Sequence, residues 1–203
     1  MLPVPLTAFV DANVLYSRCL RDWLVLAALD SHHTAYELRW SEAVLAETFY
    51  HLRRNHPGAP EQQIERWRGL MDENFPDAKV ANWDPQSVPC PKDPNDHHVL
   101  AAAHGGGVDI LITRDGDISD FQRCLDQVDA GIDVQHVDAF FCMIADRYPE
   151  LVRRRFLSQI MYWQHRKKLR EEDAADFSTD SLDKAGAGRF AFLLRTDERF
   201  RIW

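Results

Sequence analysis

The carboxylates of this sequence are the residues best placed to do chemistry. Asp11 closes the apolar run LTAFV at residues 6–10. Glu47 lies within a helical pattern whose apolar side is bracketed by Ala43, Val44 and Leu45. Asp96 falls in the first turn of a helix announced by Asp93-Pro94-Asn95, and Asp115 follows the apolar run at 108–113. Taken singly, an acid after a strand is an ordinary turn former or helix cap. Brought to one place, four such acids repel, and their pKa values rise unless a cation is bound. Oxygen-only ligands suit Mg2+ or Mn2+ better than zinc. A site of that kind can orient a phosphate, generate a hydroxide nucleophile and stabilise a leaving oxygen.

The elements that must position these acids follow from periodicity and punctuation. Residues 6–10 read as a short buried strand running into a polar turn. Leu20, Trp23, Leu24, Ala27 and Ala28 recur at helical spacing. Residues 36–40 read as a short strand or a strand-like connection. Ser41 is a good N-cap, and Glu42 in the first turn suits the helix dipole. That helix is expected to reach about residue 54 and to stop before His56-Pro57-Gly58. A further helix begins near Pro60, with Ile64, Trp67, Leu70 and Met71 on one side. Residues 78–83, 108–113 and 132–136 read as strands, and residues 96–104 as a helix ended by Gly105-Gly106-Gly107. Strands separated by helices predict a three-layer α/β domain with a mostly parallel sheet. In such sheets, sites form at the carboxyl ends of the strands, where Asp11 and Asp115 fall. Beyond residue 137 the strand signals stop. Residues 138–146 and 149–169 read as helical, 171–183 as a polar acidic stretch, and 190–194 as apolar. The chain is thus read as an α/β domain over 1–137 and a helical extension over 138–203.

Composition sets the outer limits. With 203 residues, 45% hydrophobic and 28% charged, the chain suits one large globular domain or a domain with an appendage, not a disordered or fibrous protein. Its longest apolar runs are far short of the roughly 20 residues of a membrane span. The opening MLPVPLTAFVDAN has neither a basic n-region nor a signal-peptide core. Cys19, Cys90, Cys124 and Cys142 are scattered without a C-x-x-C, which predicts reduced thiols and a cytoplasmic location. Zinc finds no ligand pattern. His97 and His98 are adjacent, so one helix cannot aim both at a single ion, and there is no H-E-x-x-H. The three glycines lack the lysine and hydroxyl of a P-loop. Asp11-Ala12-Asn13 lacks the second Asp of a haloacid-dehalogenase-like phosphatase.

Four segments, in order, resemble the motifs of PIN-domain nucleases. They are FVDANVL at 9–15, SEAVLAE at 41–47, KDPNDHHVLAAA at 92–103 and LITRDGD at 111–117. Within that superfamily the sequence looks most like the VapC toxins of toxin–antitoxin pairs, in a longer variant with a C-terminal helical extension. The resemblance covers about residues 6–137. It implies an Mg2+- or Mn2+-dependent endoribonuclease that leaves 5′-phosphate and 3′-hydroxyl ends. Asp11, Glu47, Asp96 and Asp115 would form the metal site, with Asp117 as a fifth acid, and Asn13 and Thr113 would orient carboxylates or water. Structured RNAs such as tRNA or rRNA would be substrates. A cognate antitoxin would cover or enter the active site, and a homodimer is the inherited expectation. Asp93 and Asp120 read instead as a helix-start residue and a surface acid. His97 and His98 read as solvated or half-buried, with RNA contact at the site edge as the alternative.

Charge is unevenly spread. Residues 1–137 hold 11 Lys/Arg and 21 Asp/Glu, whereas 138–203 hold 13 and 11. An acidic first segment is no general phosphate-binding surface. Residues 151–170 carry seven positive charges and no acid: Arg153, Arg154, Arg155, Arg166, Lys167, Lys168 and Arg170. Val152, Phe156, Ile160 and Trp163 repeat at helical spacing and are expected to pack inward. The outward cations, Arg166, Lys167, Lys168 and Arg170 foremost, suit RNA backbone, with pairing to the acidic 171–183 stretch or docking of an acidic antitoxin segment as alternatives. The competing functional classes are a PIN-fold RNA- or protein-binding module without catalysis, and an RNA-processing or repair nuclease with no antitoxin.

Overall fold

A computed structural model of the chain describes residues 4–55, 58, 60–114 and 117–201. Its strands are β1 Leu6–Val10, β2 Tyr36–Ser41, β3 Lys79–Val80, β4 Ile110–Thr113 and β5 Asp133–His136. Its helices are α1 Ala12–Tyr16, α2 Arg18–Asp30, α3 Glu42–Asn55, α4 Glu61–Asn74, α5 His97–Gly105, α6 Ile118–Asp126, α7 Val137–Arg147, α8 Pro149–Lys167, α9 Glu171–Lys184 and α10 Gly188–Thr196. They gather into two compact units. One holds the residues up to Tyr16 together with Tyr36–Gln135; the other holds Ser17–Ala35 and the residues from His136 onward.

The first unit is an α/β fold built on a five-stranded parallel sheet of order β3-β2-β1-β4-β5. β1 pairs in parallel with β2 on one side and with β4 on the other. The chain thus builds outward from β1 to β3, then returns to the opposite side of β1. That reversal places a topological switch point between the carboxyl ends of β1 and β4, where open α/β sheets form their ligand crevice. Ala8, Phe9 and Val10 are buried without a break, as a central parallel strand requires.

Local chemistry sets the helices. Ser41 Oγ accepts from Val44 N at 3.2 Å, the N-cap that starts α3. In α5, Val99, Leu100, Ala101, Ala102 and Ala103 are all buried, so this helix is apolar on every side. It stops where the backbone must pass close to its neighbours. A Cβ on Gly105 would lie 2.6 Å from that of Trp83, and one on Gly106 would lie 2.8 Å from Val80 Cγ2. The third strand is shorter than the expected 78–83, because Asn82 adopts φ 61°, which no strand accommodates.

The second unit is all helical. Trp23 of α2 meets the edge of Phe190 at 5.1 Å between ring centroids, in a core that includes Phe140 and Phe156. Buried Asp138 accepts from Phe190 N at 2.9 Å and from Arg189 N at 3.3 Å, satisfying two of the amides that the start of α10 leaves open. The acidic 171–183 stretch is helical here. Its apolar and hydroxyl face, Ala174, Ser178, Thr179 and Leu182, is buried, and its acids point outward. α8 ends at Lys167 because Lys168 takes the left-handed conformation, φ 55°. Among the described residues, no helix is long and apolar enough to cross a membrane.

Candidate active site

The site begins with the register of β1 against β4. Val10 lies opposite Ile112, and Asp11 N donates to Ile112 O at 3.0 Å, so Asp11 is tied to β4 one residue before Thr113. Its carboxyl oxygen Oδ2 accepts from Thr113 Oγ1 at 2.8 Å and from Asn13 Nδ2 at 2.7 Å. Asn13 Nδ2 also reaches Thr113 Oγ1 at 3.0 Å, and Asn13 Oδ1 accepts from Arg114 N at 2.9 Å. A backbone amide can only donate, so it fixes the amide oxygen of Asn13 toward Arg114 and the amide nitrogen toward Asp11. Asn13 and Thr113 therefore hold one carboxyl in one orientation at the switch point.

Asp11 is only 4% exposed. Burial pushes its carboxyl up to about 7, and the charges of Glu47 and Asp96 add to that rise against the lowering effect of the Thr113 hydrogen bond. The three acids are thus near enough to feel one another, although they come from a strand end, the middle of α3 and the turn ahead of α5. Asp96 closes a single 3-10 turn, Pro94–Asp96, whose start is capped by Asp93 accepting from Asn95 N at 2.9 Å.

Glu47 has a different electrostatic setting. His98 Nε2 stands 3.4 Å from Glu47 Oε2, and His51 Nε2 stands 3.6 Å from Oε1. The His98 imidazolium is the first cause that holds the Glu47 carboxyl below its ordinary value, with His51 adding to it. His98 Nδ1 lies 2.7 Å from Asn95 O, an atom that only accepts, so Nδ1 carries a hydrogen. A neutral ring would then turn its Nε2 lone pair toward the carboxylate. That arrangement is repulsive, and Glu47 accordingly raises the His98 pKa. His97 goes elsewhere, its Nε2 2.9 Å from Val88 O.

The remaining sequence-derived residues are placed as follows. Asp115 lies outside the described residues. Asp117 sits just ahead of α6 and pairs with Lys92 Nζ at 3.0 Å. Asp120, expected at the surface, is buried instead. It accepts from Lys92 N at 2.7 Å and pairs with Arg123, which ties down the segment leading into Asp93. Sequence reasoning missed His51 and His98 as partners of Glu47. The i,i+4 spacing of Glu47 and His51 was a signal for the first; nothing local reveals the second, which comes from another helix.

Among the described residues, no group of three His, Cys, Asp or Glu side chains is gathered closely enough to hold a metal ion by itself. The donor chemistry nonetheless fits a hard divalent cation. The acids offer only oxygen, and a cation would offset both the burial that chiefly raises the Asp11 carboxyl and the Glu47 and Asp96 charges that add to it.

Fold and site together define a doubly wound α/β domain with an acidic centre at its switch point. A family profile described as PIN domain matches residues 7–117, more than half of the chain. The chain belongs to the PIN-domain family, whose members are typically metal-dependent nucleases. No curated protein and no solved structure matches it.

Proposed function

We propose that this PIN-domain protein is an Mg2+- or Mn2+-dependent endoribonuclease, yielding 5′-phosphate and 3′-hydroxyl ends, and that it is the toxin of a toxin–antitoxin pair. The observation that carries the nuclease reading is the Asp11 carboxyl, oriented by Asn13 and Thr113, and raised first by its burial and then by the nearby Glu47 and Asp96 charges. A pure binding module gains nothing from clustered like charges. Asp11, Glu47, Asp96 and Asp115 would hold the ion, with Asp117 as a further acid. When bound, the ion would supply a hydroxide nucleophile and neutralise charge on the phosphate. The protein's own contribution is orientation: Asn13 and Thr113 fix Asp11, and His98 faces Glu47, its Nε2 3.4 Å from Oε2.

The test is cleavage of tRNA and rRNA by the purified chain. Cleavage with Mg2+ or Mn2+ that EDTA abolishes is expected. RNA bound but never cut would replace this reading with a binding module. The toxin role is tested by the neighbouring gene. A small reading frame whose product binds the chain and suppresses cleavage supports it, and cleavage with no such partner points to RNA processing or repair. A cytoplasmic location and a homodimer go with the same proposal.

Within the second unit, the cations proposed to meet RNA backbone lie at and just beyond the end of α8. Arg166 and Lys168 are exposed at the end of α8. Lys167 Nζ lies 4.2 Å from the centre of the Phe177 ring, and Arg170 pairs with Asp173 at 2.9 Å, so these two are partly engaged within the protein. Neutralising Arg166, Lys167, Lys168 and Arg170 together should flatten the salt dependence of RNA binding, by about 0.7 in the log–log slope for each phosphate no longer neutralised. Binding measured across a salt series checks this, and identical slopes would remove α8 from the RNA path.

A further inference from the structure

Next to the acidic centre, on the same unit, is a cluster of rings that the hydrolytic chemistry does not use. Tyr50 lies three residues after Glu47 on α3, and His51 lies four after, so both share its flank of the helix. His51 is flanked by two aromatic rings, Tyr16 at 6.0 Å and Tyr50 at 5.4 Å between centroids. Asn55 Nδ2 donates to Tyr16 Oη at 3.1 Å and braces that ring from the next turn of α3. Tyr16 itself ends α1, the short helix that begins directly after Asp11. The outermost ring, Tyr50, is 58% exposed, which is unusual for a large aromatic side chain with no part in the core. Arg54, a further turn along from Tyr50, is also exposed.

We infer that Tyr50, backed by His51 and Tyr16, is a stacking platform for an unpaired nucleobase adjacent to the phosphate that the acidic centre attacks, with Arg54 placed to meet the backbone of that nucleotide. The inference rests on the ribonuclease reading and adds to it a residue that would seat one base of the substrate beside the acidic centre. Three features of the site favour a base as the occupant. The rings are contiguous with Glu47 because His51 Nε2 stands 3.6 Å from Glu47 Oε1, so whatever covers them lies beside the reacting centre. An aromatic face accepts any base, whereas bases stacked inside a duplex cannot reach it. Braced rings also lose little entropy on binding, because the Asn55 hydrogen bond and the ring–ring packing already restrict them.

The experiment compares the full-length wild type with Tyr50→Ala and Tyr50→Trp. Binding to a labelled single-stranded RNA and to a blunt duplex RNA of the same sequence is measured in EDTA, and steady-state cleavage of a tRNA is measured in Mn2+. Tyr50→Ala is expected to weaken single-strand binding by about 5- to 150-fold, the range for one stacked base, and to leave duplex binding within about twofold. In cleavage, the loss should fall on KM with kcat held, as for binding shared by ground and transition states. Tyr50→Trp should restore both. A Tyr50→Ala protein that binds and cleaves like the wild type overturns the platform while leaving the nuclease reading intact. A wild type that binds single strands through Tyr50 yet cuts nothing keeps the platform and overturns the nuclease. A wild type that neither binds nor cleaves RNA overturns both.

Discussion

Asp11→Asn and Asp96→Asn should each fold normally and cleave RNA more than about a hundredfold more slowly than the wild type. An amide is a poorer ligand than a carboxylate for a hard cation. Losing a partner that only orients a ligand costs roughly 10- to 100-fold, and losing the ligand itself should exceed that. The fold has reason to survive at position 11. Asn presents a carbonyl oxygen where Asp11 Oδ2 accepts from Thr113 and Asn13, so both donors keep a partner. Asn13→Ala and Thr113→Val act through Asp11 and should therefore fall within the roughly 10- to 100-fold range, not beyond it. Single-turnover cleavage rates with matched circular dichroism spectra make the comparison. Wild-type rates in Asp11→Asn or Asp96→Asn would sink the assignment of the acidic centre.

The order of the acids along the chain was legible because each sits on a strong local signal. Asp11 ends an unbroken apolar run, Ser41 caps the helix that carries Glu47, and Asp93-Pro94 marks the start before Asp96. What was not legible depends on residues distant in sequence. His98 meets Glu47 across two helices, 51 positions apart in the chain. Asp120 looks like one more surface acid until the fold brings the Lys92 amide to it. Two elements were read imprecisely for local reasons. Residues 171–183 read only as a polar acidic stretch of the helical extension, yet Ala174, Ser178 and Leu182 fall at helical spacing and are buried in a helix of their own. Residues 78–83 have strand composition, but Asn82 turns left-handed and ends the pairing after Val80. The assembly of the second unit was the least legible part. α2 follows the first strand closely in sequence but belongs with α7–α10, held by Trp23 against Phe156 and Phe190 and by the Arg155–Asp30 pair at 3.1 Å. Those pairings span more than a hundred residues, beyond the reach of any local pattern.

The same raised carboxyl makes the metal-free protein less stable as pH rises. Burial lifts Asp11 from 3.8 to about 7 in the folded state. Between those values the folded protein holds a proton that the unfolded chain has released. Unfolding stability therefore falls as pH climbs from about 4 to 7, then levels off. At about 1.36 kcal/mol per pKa unit, the full penalty is roughly 4 kcal/mol above pH 7. Asp11→Asn cannot ionise and escapes it. In EDTA at pH 8 the variant should therefore melt higher than the wild type, by an amount on the order of 10 °C if each kcal/mol shifts a domain of this size by about 2–4 °C. The gap should narrow as pH falls toward 4, where the folded acid is protonated and the unfolded one is about half protonated. Millimolar Mn2+ should close it from the other side, raising the wild type by mass action and leaving Asp11→Asn unmoved. Melting curves over pH 4–8, with and without Mn2+, provide the measurement. A wild type as stable as Asp11→Asn at pH 8 in EDTA would show that Asp11 ionises without cost. The acids would then not be crowded at the switch point, and a cation would have no repulsion there to relieve.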